Sequence, residues 1–294
     1  MLSVGIVGFP NVGKSSLFKA LTRNEVEIAN YPFATIEPNE GIVSVPDERL
    51  EKLAALEHSK KIIPTIVKFV DIAGLVKEAH KGAGLGNKFL AHIREVDAIV
   101  QVVRAFDNPA IIRNEGPVSP KDDIEIINLE LEMGDIKKPT LYVINDDKGL
   151  SAKELLETYQ LGELGINEEQ IIPLNVKEEL ELGELTPQEQ QELGVKSNLA
   201  QLIVQSYKLL NLITFLTTGP DETRAWTLTR GSSAPEAGNK IHNDFKEQFI
   251  RAEVIPWNKL LEAGGWVQAK AKGWVGTKGK DYIVQDGDVI EFKI

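Results

Sequence analysis

A glycine-rich turn near the start of the chain constrains the fold more than any other feature. The segment "GFPNVGKSSLFKAL", residues 8–21, follows the apolar run "MLSVGIV" and opens a helical pattern. Its first eight residues match G-x-x-x-x-G-K-[S/T] in the strand–turn–helix context that this pattern requires. The glycines let backbone N–H groups face phosphate oxygens, and the helix N-terminus adds its positive end. The pattern therefore predicts a phosphate-binding loop.

The same loop carries side chains suited to a nucleoside triphosphate bound with Mg²⁺. We expect Lys14 to contact the terminal phosphates and Ser15 to bind Mg²⁺ through its hydroxyl. A bare strand-to-helix turn is the alternative interpretation. The residues expected to bind the phosphates are Asn11, Val12, Gly13, Lys14, Ser15 and Ser16.

Two further segments are expected to complete the metal and phosphate site. Asp71 opens "DIAG" after the apolar run "TIVKFV", so it lies at the end of a predicted strand, where ligands bind in such sheets. We expect Asp71 to hold Mg²⁺ through water and the N–H of Gly74 to contact the γ-phosphate. Thr35, in the loop "NYPFATIEPNEG", is expected to join the Mg²⁺ shell only when the γ-phosphate is present. A structural carboxylate and a turn threonine are the alternatives.

The order of apolar runs predicts an α/β fold with two domains. Strand patterns alternate with helical patterns in the first part of the chain, which favours a mostly parallel sheet covered on both faces. Later, short β-like runs surround a helical segment, and "DYIVQDGDVIEFKI" is predicted to form a hairpin. We expect an NTPase-type domain at 1–210 and a small α+β domain at 211–294, with the acidic stretch 177–198 as a solvated connector.

Composition limits the partners of such a chain. The net charge of −11 belongs to the first domain, because residues 211–294 are balanced in charge, and it argues against a broad basic surface for nucleic acid. There are no cysteines, which excludes disulfides and thiolate metal sites. No apolar run reaches the ~18 residues that a membrane helix needs. We expect a cytoplasmic protein with neither a membrane nor DNA as a partner.

Six longer segments carry a resemblance: "GFPNVGKSSLFKALT", "NYPFATIEPN", "DIAGLVKEAHKGAGLGNKFL", "DDIEIINLEL", "IHNDFKEQFIRAEVI" and "YIVQDGDVIEF". Together they resemble the YchF family of Obg-like P-loop NTPases over nearly the whole chain. The resemblance implies a Ras-like NTPase domain and then a TGS domain with a ubiquitin-like β-grasp. It also implies a cytosolic, ribosome-associated enzyme that hydrolyses ATP in preference to GTP.

The stretch expected to read the nucleobase departs from the guanine-specific pattern Asn-Lys-x-Asp. Lys148 stands where a carboxylate would accept two hydrogen bonds from guanine, and the family commonly has Glu there. An ammonium only donates, which favours adenine with its acceptors N1 and N7. A one-residue shift that uses Asp147 would favour GTP instead. The residues expected to bind the base, including the "NVKEE" loop behind it, are Asn145, Asp147, Lys148, Asn175 and Val176.

The water-orienting residue of Ras-type enzymes is also missing. A Gln follows the Gly of D-x-x-G in those enzymes, whereas this chain has Leu75, whose hydrocarbon side chain cannot orient water. In related NTPases a loop asparagine helps to hold K⁺, which makes K⁺ a candidate ion here. Arg113, where the family often has histidine, and His80 are further candidates, with solvated loop residues as the alternative. The catalytic candidates are Asn11, Lys14, Thr35, Gly74, His80 and Arg113.

One segment typical of the family is essentially absent. The family usually inserts a helical hairpin arm between the "IEIINLEL" helix and the next strand. Here "EMGDIKKPTLYV" follows the helix directly. Partner contacts made by that arm in relatives are therefore not expected of this chain.

The C-terminal domain carries a basic cluster with aromatic residues. Lysines interleaved with tryptophan suit RNA phosphates and an unstacked base, although a solvated hairpin with a core tryptophan is the alternative. Two functions stay open: a ribosome-associated NTPase switch, and a nucleotide-binding ribosome adaptor with negligible turnover. The cluster consists of Lys270, Lys272, Lys278 and Lys280 around Trp274, with Trp266 nearby.

Overall fold

The structure is a computed structural model, and it falls into two compact units. The first comprises Met1–Val43 and Val67–Leu210, and the second comprises Ser44–Ile66 and Asn211–Ile294. Each unit contains a six-stranded sheet. The residues that the structure describes are 2–23, 37–72, 87–107, 118–195 and 197–294.

Strands and helices within the described residues are numbered in chain order. The strands are β1 Ser3–Val7, β2 Glu40–Ser44, β3 Lys61–Ile63, β4 Ile66–Asp71, β5 Ala98–Arg104, β6 Thr140–Asn145, β7 Ile171–Leu174, β8 Leu212–Thr218, β9 Glu222–Thr229, β10 Arg251–Pro256, β11 Gly276–Lys278 and β12 Asp288–Lys293. The helices are α1 Lys14–Leu21, α2 Glu48–Glu57, α3 Asn87–Glu95, α4 Pro120–Met133, α5 Ala152–Thr158, α6 Val176–Leu182, α7 Pro187–Glu192, α8 Leu199–Leu209, α9 Ala234–Ile241, α10 Asn243–Glu247, α11 Trp257–Ala263 and α12 Trp266–Ala271.

The sheet of the first unit has the order β2-β4-β1-β5-β6-β7. β4, β1, β5, β6 and β7 pair in parallel, which confirms the predicted α/β class. All residues of the central strand β5 are buried, as expected where helices cover both faces of a parallel sheet. Its Ile99 packs with Ile93 of α3 and Ile127 of α4. The carboxyl ends of β1, β4 and β6 lead into the segments that form the candidate site.

The acidic stretch 177–198 is mostly exposed, as its composition predicts, but it is helical rather than a plain connector. It contains most of α6 and all of α7. Thr186 and Glu189 form a reciprocal capping box at the start of α7. The carboxylate of Glu179 is buried and accepts hydrogen bonds from Ser197 Oγ at 2.6 Å and from Asn198 N at 2.7 Å. Caps and this buried carboxylate therefore order a segment that looked merely charged.

The sheet of the second unit has the order β11-β10-β12-β8-β9-β3. β8 and β9 form an antiparallel hairpin, and β10 pairs antiparallel with both β11 and β12. β12 is parallel to β8, and β3 is parallel to β9. This mixed sheet and its helices α9–α12 give the α+β organisation predicted for the C-terminal part.

The second unit includes a segment that the predicted boundaries put in the first domain. β3 pairs with β9 from Lys61↔Glu222 to Ile63↔Arg224. Leu50 and Leu53 of α2 are buried in one cluster with Leu216 of β8. Residues 44–66 therefore belong structurally with 211–294, and the predicted division at 1–210 and 211–294 differs from the compact units in this segment.

The prediction of a hairpin in "DYIVQDGDVIEFKI" is wrong for the first of its two strands. β12 is a strand, but it pairs with β10 and β8, and the preceding run makes a single bridge from Ile283 to Ser233. Asp288 shapes the turn, because its Oδ2 accepts from Tyr282 Oη at 2.7 Å and from Gln285 N at 2.9 Å. These bonds hold the run as a loop against the sheet.

A short connection joins α4 to β6. α4 ends at Met133 and β6 begins at Thr140. This is compatible with the expected absence of the helical arm. Among the described helices, none combines the length and the apolar character needed to cross a bilayer.

Candidate functional site

The loop between β1 and α1 needs glycine at both ends. Gly8 has a φ of 150°, and a Cβ atom there would lie 2.4 Å from the carbonyl oxygen of Val102. Gly13 has a φ of 106°, and its Cβ would lie 2.8 Å from Nδ2 of Asn145. Asn11 has a φ of 61°, in the left-handed region that asparagine tolerates. The glycines of the sequence pattern are thus required by backbone angle and by close packing.

The N-terminus of α1 is free to bind an anion. Gly13 is its N-cap residue, no side chain of the described residues caps the helix, and the first turn contains no acidic residue. The first N–H groups of a helix have no intrahelical partner, and the helix dipole favours negative charge there. Together these features form the anion-binding end that the pattern predicts.

Lys14 lies back over the loop. Its Nζ donates to the carbonyl oxygen of Phe9 at 2.7 Å. Burial lowers the pKa of Lys14 to about 8, and the negative charge of Asp71 opposes that shift. A phosphate beside this ammonium would replace the solvation lost on burial and favour the charged form.

Ser15 and Asp71 meet at the ends of α1 and β4. Ser15 Oγ donates to Asp71 Oδ2 at 3.2 Å, while Asp71 Oδ1 is buried and has no hydrogen-bond partner among the described residues. Within that part of the chain, no three His, Asp or Glu side chains cluster as a metal site. One carboxylate with a hydroxyl suits Mg²⁺, which is commonly bound by one or two carboxylates plus substrate phosphates. The unpartnered Oδ1 fits this ion.

Asn145 joins three segments at the edge of the site. Its buried Nδ2 donates to the carbonyl oxygen of Val12 at 2.9 Å, and its Oδ1 accepts from Val176 N at 3.1 Å. Asn175 caps α6 by accepting from Glu178 N. The predicted residues of the phosphate loop and of the base loop are therefore linked through one amide side chain.

A cavity of about 1000 Å³ lies over these groups. It brings together most residues predicted from the sequence to bind phosphate or base. It also reaches residues that were not named as binding residues, two of them within the predicted "NVKEE" loop and two following β5 at the carboxyl edge where ligands bind. The predicted lining residues are Asn11, Gly13, Lys14, Ser15, Ser16, Asn145, Asp147, Asn175 and Val176, and the others are Phe106, Asp107, Lys177, Glu178, Leu180 and Glu181.

The base-reading stretch differs from its prediction in one respect. Asp147 lines the cavity, whereas Lys148 is not among the described residues that do so. The backbone N–H groups of Lys148 and Leu150 donate to Oδ2 of the buried Asp146 at 3.0 and 3.1 Å. Burial raises the pKa of Tyr159, and the charge of Lys148 opposes that shift.

Four predicted catalytic residues lie outside the described residues. They are Thr35, Gly74, His80 and Arg113, and Leu75 lies outside as well. The geometry above therefore concerns the loop, Asp71 and the base-reading segments alone.

The basic cluster of the C-terminal part does not lie on a hairpin. Trp266 begins α12, and Trp274 follows that helix. Both rings are partly buried against a core that includes Leu260 and Ala269. The tryptophans therefore pack against the core of the second unit, which agrees with the alternative interpretation for the tryptophan but not for the hairpin.

Lys270 and Lys272 of this cluster already have partners. Lys270 Nζ lies 2.7 Å from Glu253 Oε2 and 3.3 Å from Glu291 Oε2. Lys259 and Lys272 lie over the ring of Trp274, with Nζ at 4.9 and 4.7 Å from its centre. That a base stacks on this ring stays a prediction.

Known proteins resemble this chain along its whole length. Residues 3–146 match a family profile described as "50S ribosome-binding GTPase", and residues 212–294 match the profile YchF-GTPase_C, described as "Protein of unknown function (DUF933)". The chain is 42% identical to "Ribosome-binding ATPase YchF" of Bacillus subtilis over 99% of each chain. It is 36% identical to "Obg-like ATPase 1" of Bos taurus, covering 99% of this chain and 92% of that protein.

A solved structure of the YchF GTPase of Schizosaccharomyces pombe has the same fold. It superposes with a TM-score of 0.84 at 33% identity, covering 99% of this chain and 97% of that one. The alignment with the Bacillus protein spans 365 positions against 294 residues here, so part of that protein has no counterpart in this chain. By these identities and coverages, the chain belongs to the YchF family.

Proposed function

We propose that this chain is a ribosome-associated P-loop NTPase that hydrolyses ATP, in preference to GTP, to ADP and phosphate with Mg²⁺. The observation that carries the proposal is the meeting of Ser15 with the half-paired carboxylate of Asp71, beside Lys14 and the open N-terminus of α1. These groups offer free N–H donors, an ammonium and hard oxygen ligands. The set suits the triphosphate of a nucleotide.

Within this proposal each described group has one task. The N–H groups at the start of α1 donate to phosphate oxygens. Lys14 exchanges the carbonyl oxygen of Phe9 for the terminal phosphates, and their charge keeps it protonated. Ser15 and Asp71 would hold Mg²⁺, which when bound neutralises charge that develops on the phosphates.

Other tasks rest on the sequence and on the family resemblance. We assign Thr35 and the N–H of Gly74 to the γ-phosphate, and we keep His80 and Arg113 as candidates for stabilising the attacking water or the developing charge. Asn11, which lines the cavity, is assigned to a K⁺ ion between the phosphates. Such an ion would stabilise the negative charge that develops in the transition state. The hydrocarbon side chain of Leu75 cannot stabilise that charge.

The proposed preference for ATP has two supports. The Bacillus and Bos relatives are called ATPases, whereas the Schizosaccharomyces structure and the matched profile carry the word GTPase. Lys148 also stands where a guanine-specific site has a carboxylate. A GTPase is the second candidate, and one observation favours it: Asp147 lines the cavity and Lys148 does not. A carboxylate there would accept from the guanine N1–H and N2–H groups.

The ribosome is proposed as the partner because the name of the Bacillus relative says that it binds ribosomes. The neutral second unit is the proposed contact, since the acidic first unit repels RNA at long range. Lys272, Lys278 and Lys280 are its candidate phosphate contacts. We propose a cytoplasmic protein with no membrane or DNA partner.

Steady-state phosphate release tests the proposed reaction. Purified protein is assayed with ATP and with GTP, in K⁺ and in Na⁺, with Mg²⁺ or with EDTA, and Lys14→Ala prepared in parallel measures contaminating activity. The proposal predicts Mg²⁺-dependent release that is faster with ATP than with GTP and faster in K⁺ than in Na⁺. Nucleotide binding without release from either nucleotide would indicate the adaptor with negligible turnover. Equal rates in the two salts would remove the role of Asn11.

A further inference from the structure

An apolar stripe runs along the exposed side of α4. Ile126, Leu129 and Met133 have 40%, 54% and 66% of their surfaces exposed. Their spacing is i, i+3 and i+7, so they line one side of the helix. We call these three residues the α4 stripe.

The α4 stripe is not needed to attach the helix to its sheet. Ile124, Ile127 and Leu131 occupy the opposite side of α4 and are buried in the core. Ser119 caps the helix at its start, and Pro120 occupies its first turn. A helix with its core face already filled has no structural use for a second row of large apolar side chains.

The charged residues of α4 are mostly acidic. Asp122, Glu125 and Glu132 are exposed on the same helix. Lys121 is the one basic residue of α4, and its Nζ forms an ion pair with Glu163. That contact raises the pKa of Lys121, and the nearby charges of Glu125 and Asp122 raise it as well. One lysine nevertheless leaves the exposed side of α4 acidic on balance.

From this combination we propose that the exposed face of α4 binds a basic amphipathic helix of a protein partner. Apolar side chains on such a helix would cover the α4 stripe, and lysines or arginines beside them would face Glu125 and Glu132. The same carboxylates oppose other occupants. A second copy of α4 would bring like charges together, and nucleic acid or anionic lipid would bring phosphates against them.

A designed peptide provides the probe. It is a stapled Leu/Lys helix of about the length of α4, with leucines at the spacing of the stripe, and its affinity is measured by fluorescence anisotropy. Two peptides serve as controls: a scrambled one of the same composition, and a Leu/Glu helix of the same periodicity. The chain is used whole, and sedimentation velocity reports its own association state.

Three variants separate the apolar contribution to peptide binding from the contribution of charge. The triple change Ile126→Gln, Leu129→Gln and Met133→Gln removes the stripe with residues that suit an exposed helix. The pair Glu125→Gln and Glu132→Gln removes charge alone. Val267→Gln, at an exposed apolar position of α12, is the matched control.

We expect the dissociation constant of the Leu/Lys helix to be lower than that of either control peptide by about tenfold or more. The triple variant should lose this advantage, and the charge variant should keep part of it with a weaker dependence on salt. Val267→Gln should bind as the parent does. Equal binding of the scrambled peptide, or unchanged binding by the triple variant, would overturn the proposal. So would a dimer that dissociates in the triple variant, because the occupant would then be a second copy.

Discussion

One polar cluster in each unit of this chain shows a different degree of pairing. In the first unit, and within the described residues, Asp71 Oδ1 is buried with no partner and no side chain caps α1. In the second unit, Arg49 donates to both Asp47 and Asp286 at 2.7 Å. Leaving a buried polar atom unpaired costs roughly 1–3 kcal/mol, so it is retained most readily where a ligand completes it. The first arrangement therefore indicates binding, and the second indicates stability.

The largest effect is expected at Lys14. Lys14→Ala should weaken ATP binding about 100-fold or more, because the ammonium that faces the phosphates is lost. Its free energy of unfolding should stay within about 1 kcal/mol of the parent, since Lys14 lies over a loop and fills no core. Titration calorimetry and urea unfolding measure the two quantities. Unchanged ATP affinity would reject the loop assignment.

At Arg49 we expect the opposite combination, a loss of stability without a loss of nucleotide affinity. Arg49→Ala should lower the free energy of unfolding of the second unit by about 1–3 kcal/mol, because it leaves the carboxylates of Asp47 and Asp286 without this donor. Nucleotide affinity should not change. Chemical unfolding is followed by tryptophan fluorescence, because all four tryptophans lie in this unit, with Arg49→Lys as the milder control. A variant that unfolds like the parent would remove the contrast between the two units.

The pH dependence of binding sharpens the assignment of Lys14. Burial lowers the pKa of this lysine to about 8 in the free protein, and bound phosphates would raise it. ATP affinity should therefore be steady below pH 8 and fall as the pH rises above 8, approaching about tenfold per pH unit. Binding in that range should take up a proton, which calorimetry in buffers of different ionisation enthalpy detects. Lys14→Ala should lack this step, and the same affinity at pH 7 and pH 9 would contradict the assignment.

The smallest effect is expected on the choice between adenine and guanine nucleotides. If Lys148 sets the preference for ATP, Lys148→Asp should shift the ratio of ATP to GTP affinity several-fold toward GTP, and Asp147→Asn should leave it unchanged. The opposite pattern, with loss of GTP affinity in Asp147→Asn alone, would support the GTPase candidate. Competition against a fluorescent nucleotide measures both ratios. Lys153→Ala, at another lysine beyond β6, controls for a general change of charge.

The sequence pattern predicted the phosphate-binding loop between β1 and α1, because its glycines, lysine and serine are close together in the sequence. Each of these residues is required for one reason, either the backbone angle of the loop or the expected contact with phosphate or metal. The position of Asp71 was predictable as well, since parallel strands end at a common edge. The role of α2 and β3 was not, because β3 pairs with β9 more than 150 residues away, and no local periodicity reports such a pairing. Helix α7 was missed although its signal was present: Thr186 and Glu189 have the spacing of a capping box.

The segment expected to read the nucleobase, residues 145–148, shows a second reason why sequence alone does not predict a site. The sequence aligns Lys148 with the position that contacts guanine elsewhere. The structure turns the backbone N–H groups of Lys148 and Leu150 toward the buried carboxylate of Asp146, and it is Asp147 that lines the cavity. Which side chain of a short loop faces a ligand depends on such hydrogen bonds, and residue order alone does not report them.

The central claim is that the unpartnered oxygen of Asp71 belongs to a Mg²⁺–nucleotide site. Titration calorimetry with ATP, in Mg²⁺ and in EDTA, on the parent and on Asp71→Asn tests it most directly. We expect Mg²⁺ to tighten ATP binding by the parent about tenfold or more and to have little effect on Asp71→Asn. Equal tightening by Mg²⁺ in both proteins would contradict the claim.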